Sequence, residues 1–424
     1  MNQTENQPGC ARSFSGHAQQ GFTLVELMVS ITLGLLIMVA LIAVYLNVSR
    51  TNSEMAKTNS LIENGRFAID ILQEDVAHAG FWGGYVPQFD NLSAAAVPSD
   101  VPQIAPGPCL PYVNWDDVAN PGYRDALIGI PVQTFDVVPA GCSGLITDKK
   151  AGTDVLVVRH ADTCLPGVGN CEADTIANPT PKVYFQASFC DAEISAATPL
   201  RYVLSNAAAA FTLKKRGCTG TPPAATVGTP SERRKFVSDI YYIRTWATKT
   251  NNVPDNIPTL VRSTFALDSA TGTTPAQDTP VALIEGIDSF VVELGIDASS
   301  RCGAAYPVNY ASAPSRVDPS TYPACTASAT MASNTLPVNR GDGVPETYVR
   351  CTGATGCTNA QLRDVVAAKL FILARNREPS PGHIDNKTYA LGSTTVPAAN
   401  DGYKRHVFQT TVRLTNISGR RETP

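Results

Sequence analysis

Histidine is scarce in this 424-residue chain, at five residues, and these are dispersed: His17, His78, His160, His383 and His406. No HExxH, GxSxG, glycine-rich phosphate loop or Walker sequence occurs. No stretch therefore announces a catalytic or nucleotide-binding motif, and an enzyme is not expected. An excess of basic residues is missing too. With 33 Lys+Arg against 37 Asp+Glu the formal charge is −4, which gives no general footing for nucleic acid or for an electrostatic hold on lipid. The cysteines include no CxxC pair, so neither a zinc knuckle nor a thioredoxin-like redox pair is expected, and no metal or cofactor is assigned. Charge is absent from Leu27 to Leu46, and proline from Gly21 to Val86.

Those last two absences define the amino-terminal part. Of the 20 residues 27–46, 17 are apolar or aromatic, and as a helix they span about 30 Å, the thickness of a bilayer core. A cleaved secretory signal would have a shorter apolar region ending in small residues, whereas this run continues into Asn47, Val48, Ser49 and Arg50. One carboxylate, Glu26, stands at its mouth, where a charge entering lipid requires compensation. A cut between Gly21 and Phe22 would create an α-ammonium within one helical turn of Glu26, in the same chain or a neighbour.

Beyond the run, Met55, Ile62, Ile69 and Val76 recur every seven residues, widened by Leu61, Ala68, Leu72 and Ala79. One helix over residues 22–80 is expected, with Gly34 and Asn64-Gly65 as its weak points. Residues 81–424 read as a β-rich head of one or two lobes. Its strand candidates are Ala126–Val138, Asp154–Arg159, Lys182–Phe189, Arg201–Leu204, Phe236–Trp246, Thr259–Leu267, Phe290–Ile296, Val365–Arg375 and Val407–Leu414. A largely antiparallel sheet laid on the lower half of the helix is the expected product.

Ten of the eleven cysteines lie in the head: Cys109, Cys142, Cys164, Cys171, Cys190, Cys218, Cys302, Cys325, Cys351 and Cys357. An even set confined to one region suits disulfides in an oxidising compartment. Cys109, Cys218, Cys302 and Cys325 lie in or beside long loops at Ser93–Pro108, Thr219–Ser231 and Gly303–Pro337, which they would pin. Connectivity is not legible, although Cys164/Cys171 and Cys351/Cys357 are close enough in sequence to close small loops.

Three other features have competing readings. Phe81, Trp82 and Tyr85 are either a contact surface for another subunit or rings that plug the junction of helix and head. Asp342 and Glu346 in GDGVPETY supply too few oxygens for a standard calcium loop. Arg340-Gly341-Asp342 spells an adhesion tripeptide, which has meaning only if displayed.

The segment GFTLVELMV, Gly21–Val29, resembles the type IV prepilin signature. The resemblance implies cleavage after Gly21 by prepilin peptidase, methylation of the new terminus Phe22, and an assembly role for Glu26. It also implies a leader of residues 1–21, long for this class, and a membrane-spanning part at about 27–46. Glu63–Gly84 (ENGRFAIDILQEDVAHAGFWGG), Gly341–Tyr348, Val365–Arg375, Lys387–Leu391 and Asp401–Leu414 (DGYKRHVFQTTVRL) resemble the PilW family of minor pilins, with His406 where a second basic residue is usual. That implies an α+β, type IV pilin-like fold: a long N-terminal helix whose first half spans the membrane, packed on a largely antiparallel head with disulfide-pinned loops.

The implied function is that of a minor pilin in the initiation of type IV pili, remaining at the fibre tip. Its partners would be other minor pilins and the major pilin through the helix, prepilin peptidase, a large tip adhesin and the inner membrane, with the head periplasmic or carried outside on the fibre. The alternatives are an abundant structural pilin, a type II secretion pseudopilin and a pilus-associated adhesin.

Overall fold

Residues 21–173, 182–196, 199–220, 227–267, 274–300, 303–314 and 339–422 are described by the computed structural model. Leu24–His78 form a single α-helix, α1. The chain divides into two units with the boundary between Ala56 and Lys57, inside α1. The head unit thus begins well before residue 81, because the lower part of α1 is built into it.

In the first unit every residue from Gly21 to Ser53 is exposed. The apolar run has no protein cover of its own: Leu36 is 66% exposed and Met38 63%. Its few hydroxyls turn back onto the helix. Ser30 donates to the Glu26 carbonyl at 2.7 Å and Thr32 to the Met28 carbonyl at 3.0 Å, so these two hydroxyls are satisfied within the helix. Leu24–His78 contains a window apolar and long enough to cross a membrane.

In the second unit burial on α1 starts at Leu61 and follows Ala68, Ile69, Leu72 and Val76, continuing to Ala79 just past its end. Met55, expected in the stripe, is 58% exposed. The buried face packs on two sheets rather than one. The first contains β1 (Val132–Phe135), β2 (Val155–Ala161), β3 (Tyr184–Ala187), β4 (Tyr202–Ser205), β5 (Arg233–Arg244), β6 (Thr259–Leu267), β7 (Pro275–Gln277) and β8 (Val281–Glu285). Its organiser is β5, which pairs antiparallel with β2, with β3 through Arg233–Lys235 and with β6 through Asp239–Arg244. The second sheet is β9 (Ile287–Ile296), β10 (Thr347–Val349), β11 (Val365–Arg375) and β12 (Arg405–Arg413), in the order β10-β9-β11-β12, all antiparallel. Leu156 and Val158 of β2, Tyr241 and Ile243 of β5, Val292 of β9 and Leu370 and Ile372 of β11 share one core with the helix face. One amphipathic stripe therefore seals both sheets.

The helix runs unbroken through its weak point at Asn64-Gly65. A Cβ at Gly65 would overlap the ring of Phe408 on β12, and the Asn64 side chain donates to the Glu285 carbonyl at 3.0 Å. Both residues serve close approach to the head, and these contacts outweigh their turn preference.

Ala126–Val138 is not one strand. Tyr123–Gly129 form a short helix, α2, entered through Gly122 at φ +70°, and β1 begins only after Pro131. An apolar run this short carries no period that separates helix from strand, and the residue before Pro131 is steered out of the helical region. A terminal helix, α3 (Thr415–Arg421), follows β12, and β8 adds a strand that was not among the candidates.

Among the described residues, four disulfides join Cys109–Cys142, Cys164–Cys171, Cys190–Cys218 and Cys351–Cys357. Cys302 and Cys325 lie outside the described residues.

Candidate assembly site

The Gly21–Phe22 bond lies in non-helical, exposed backbone just ahead of α1. Phe22 is 83% exposed, and a Cβ at Gly21 would meet nothing within 4 Å. The fold of this chain therefore places no demand on glycine there, and any such demand has to come from whatever binds the bond.

One residue further, Thr23 is the N-cap of α1. Its hydroxyl accepts from the Glu26 N–H at 3.3 Å, while Oε2 of Glu26 accepts from the Thr23 N–H at 3.0 Å and hydroxyl at 2.9 Å. This is a capping box, in which two helix-start donors are satisfied reciprocally. The T-x-x-E spacing of Thr23 and Glu26 carried that signal in sequence. Both bonds to the carboxylate fall on Oε2. The site combines an exposed Gly21–Phe22 bond, a carboxylate at a helix start and an uncovered apolar face. It offers no nucleophile–base pair, and its chemistry is that of packing and charge pairing.

The opposite end of α1 is held by α3. Asn416 donates toward the carbonyls of Ala77, His78 and Ala79 at 3.3 Å each, and Arg420 donates to the Gly80 carbonyl at 2.6 Å. These satisfy carbonyls that a helix end leaves open. On the same turn Asp75 meets His160 Nε2 of β2 at 2.9 Å. Burial drives the His160 pKa down, but the hydrogen bond and charge of Asp75 outweigh it and leave the pKa above its ordinary value.

Trp82 and Tyr85, offered as a contact surface with Phe81, are 1% and 7% exposed, and that reading is corrected for both. The Trp82 indole donates to the Ile128 carbonyl at 3.2 Å, and both rings pack on Phe185. Phe81 is partly buried beneath Arg234, 5.4 Å from its ring. The cluster plugs the junction of helix and head.

Arg340-Gly341-Asp342 is not displayed. Arg340 is 1% exposed and donates to the carbonyls of Phe89, Asn309 and Ser312. Glu346 accepts the backbone N–H groups of Ala298 and Ser299 at 3.0 and 3.2 Å. The GDGVPETY segment is therefore a clasp between loop and sheet, and no cluster of potential metal ligands occurs among the described residues.

The carboxyl-terminal motif is structural as well. Arg405 holds Asp401 through two bonds at 2.6 and 2.7 Å, Asp385 at 2.9 Å and Asp288 at 2.8 Å. Tyr389 donates its hydroxyl to Asp385. The KTY turn and DGYKR bend converge on one bidentate ion-pair hub. Burial alone would raise the Asp288 pKa, but Lys150 and Arg405 hold it below the usual range.

Residues 16–42 match the prokaryotic N-terminal methylation motif. Residues 240–416 match the family of the type IV pilus-assembly protein W, PilW. The two matches support a PilW-like type IV pilin, and the long apolar helix with its antiparallel sheets makes the fold α+β. A type IV-like pilin from Thermus thermophilus, TTHA1219, is 11% identical over 64% of this chain and 81% of that one, at a TM-score of 0.25. No curated protein matches the chain.

Proposed function

We propose that this pilin is a minor subunit that takes part in starting the assembly of type IV pili and keeps its place at the fibre tip. The apolar half of its helix anchors it in the bacterial inner membrane with the head periplasmic. In this reading the leader ends at Gly21, and the first half of α1 packs against other minor pilins and then the major pilin. The observation that carries the proposal is the uncovered first half of α1, which begins with one carboxylate already built into a capping box. An apolar surface this continuous needs lipid or other helices as its surround. The large loop-rich head argues for a low-copy subunit, since such a body repeats poorly around a dense fibre.

Glu26 then has two tasks. Through Oε2 it caps its own helix, and through Oε1 it receives the Phe22 ammonium of a neighbour. Apolar helices slide past each other at little cost, whereas two poorly solvated charges favour one axial offset.

Glu26→Gln separates the tasks, because glutamine also completes a capping box. The Gln variant is expected to insert and be cleaved normally but to lose co-purification with other pilins from crosslinked membranes. Wild-type association would leave Glu26 as a cap alone. Placement is checked by deletion: absent pili that return when retraction is also blocked mark an initiating subunit. Normal pili with lost attachment would instead mark an adhesin, and high copy number in sheared fibres a structural pilin.

A further inference from the structure

A cleft of about 510 Å³ opens beside the residues just past the end of α1. Phe189 is partly exposed on its floor, with the buried Trp82 and Phe185 beneath, and its rim carries Lys215, Arg216 and Arg234 against one acid, Glu232. Three cations to one anion is the reverse of the whole chain, whose net charge is −4. The positive potential is therefore local to the cleft.

The rim is held in place from behind. The Cys190–Cys218 disulfide ties the segment that carries Lys215 and Arg216, and the Lys215 N–H bonds the Thr229 carbonyl at 2.9 Å. Arg234 donates to the carbonyls of Asp162 and Thr163 at 3.1 and 2.6 Å. Carbonyl oxygens fix a guanidinium without neutralising it. Glu232 is shared between Lys215 and Arg234 at 3.2 Å each and is 45% exposed, so these pairs are weak and readily exchanged. Gly83 takes φ +62°, and a Cβ there would press on Arg234 Nε at 2.9 Å. The wall at this point is consequently bare backbone.

A mostly apolar cleft of this size with few placed polar groups is the usual form of a small-molecule site. We infer that it binds a carboxylated sugar ring of the uronic-acid class. The ring carboxylate pairs with Lys215 and Arg216, its apolar face lies against Phe189, and its hydroxyls donate to Glu232. An aliphatic or aromatic acid without hydroxyl or N–H groups could not make that last contact. This activity belongs to the head and is independent of the assembly role of α1.

The test uses full-length protein in detergent, titrated with D-glucuronate and followed by saturation-transfer NMR. Glucuronate is expected to bind, with D-glucose and N-acetylglutamate amide weaker by about tenfold or more. High salt should weaken the glucuronate complex. The double variant Lys215→Glu/Arg216→Glu, at two exposed positions, should lose at least about tenfold in affinity with an unchanged melting temperature. Equal binding of glucose would overturn the proposal by showing that charge is not read. Equal binding of the glutamate amide, the mark of a site for acidic peptide, would overturn the sugar assignment, and undiminished binding by the double variant would exclude this cleft.

Discussion

The two parts of α1 share a helical backbone and differ in what surrounds it. From Gly21 to Ser53 every residue is exposed, including the whole apolar run, whereas Leu61, Ala68, Leu72 and Val76 are almost completely buried in the head. The upper part is apolar on all sides and therefore has no preferred face within its own chain. The lower part is apolar on one stripe and needs a specific surface to cover it. Helices of similar local propensity thus take opposite roles, one offered to a surround outside this chain and one used up inside it.

The largest expected effect comes from deleting the same side chain in each part. Leu72→Ala should cost the head about 2–5 kcal/mol, because Leu72 is fully buried and the cavity cannot fully collapse. Leu36→Ala should leave the head's thermal or denaturant unfolding unchanged. Equal losses would mean that the two parts of α1 are not distinguished by their surroundings.

The glycines sharpen the contrast. Gly65→Leu should destabilise the head by about 1–3 kcal/mol by driving a side chain into the Phe408 ring. Gly34 has nothing within 4 Å, so Gly34→Leu should be neutral or slightly favourable to the helix. Denaturant midpoints of the two variants, compared with wild type, measure the difference.

At the helix start, Thr23→Ala removes one partner of the capping box and should cost the first turn about 0.5–2 kcal/mol. The loss should appear as faster amide exchange at Leu24–Glu26, with no change in the melting of the head. A global loss of stability would show that the cap supports more than its own turn.

The smallest effect is a pH dependence confined to the lower part. His160 has a raised pKa, so its contribution to stability is complete below the unfolded value near 6.5 and is lost as pH rises through the folded value. Burial, together with the charge of Asp75, raises Asp239 from 3.8 to about 6. A carboxyl raised on folding holds its proton better in the native state, so its contribution also declines as pH rises from about 4 to 6. The melting temperature should accordingly fall between pH 5 and pH 9, and Asp75→Asn should flatten the slope above pH 6. A slope unchanged by Asp75→Asn would remove the His160–Asp75 pair from this account.

Much of the architecture was legible because it rests on local pattern. The chargeless run and the seven-residue stripe announced α1, and runs such as Thr259–Leu267 and Val365–Arg375 became strands with those bounds. Local pattern gave no help where the period was too short, as at Tyr123–Gly129, or where the decisive partner lay far along the chain. Asn416 capping Ala77–Ala79, Phe408 filling the space at Gly65 and Asp75 meeting His160 are of this kind. The aromatics Trp82 and Tyr85 show the same limit, since nothing in FWGGY distinguishes a displayed cluster from a buried one.

By itself, then, the sequence determined the membrane-length run, the position of Gly21, Phe22 and Glu26 relative to it, and the β-rich, cysteine-bearing character of the head. These depend on the order and spacing of neighbouring residues, which chain geometry converts directly into periodicity and reach. Only the tertiary structure decided that the stripe seals two sheets, that four particular cysteine pairs close, that Arg340 is interior, and that Lys215, Arg216 and Arg234 meet over an aromatic floor. Each of these joins residues distant in sequence, and which distant groups meet is set by the packing of the whole core rather than by any stretch of it.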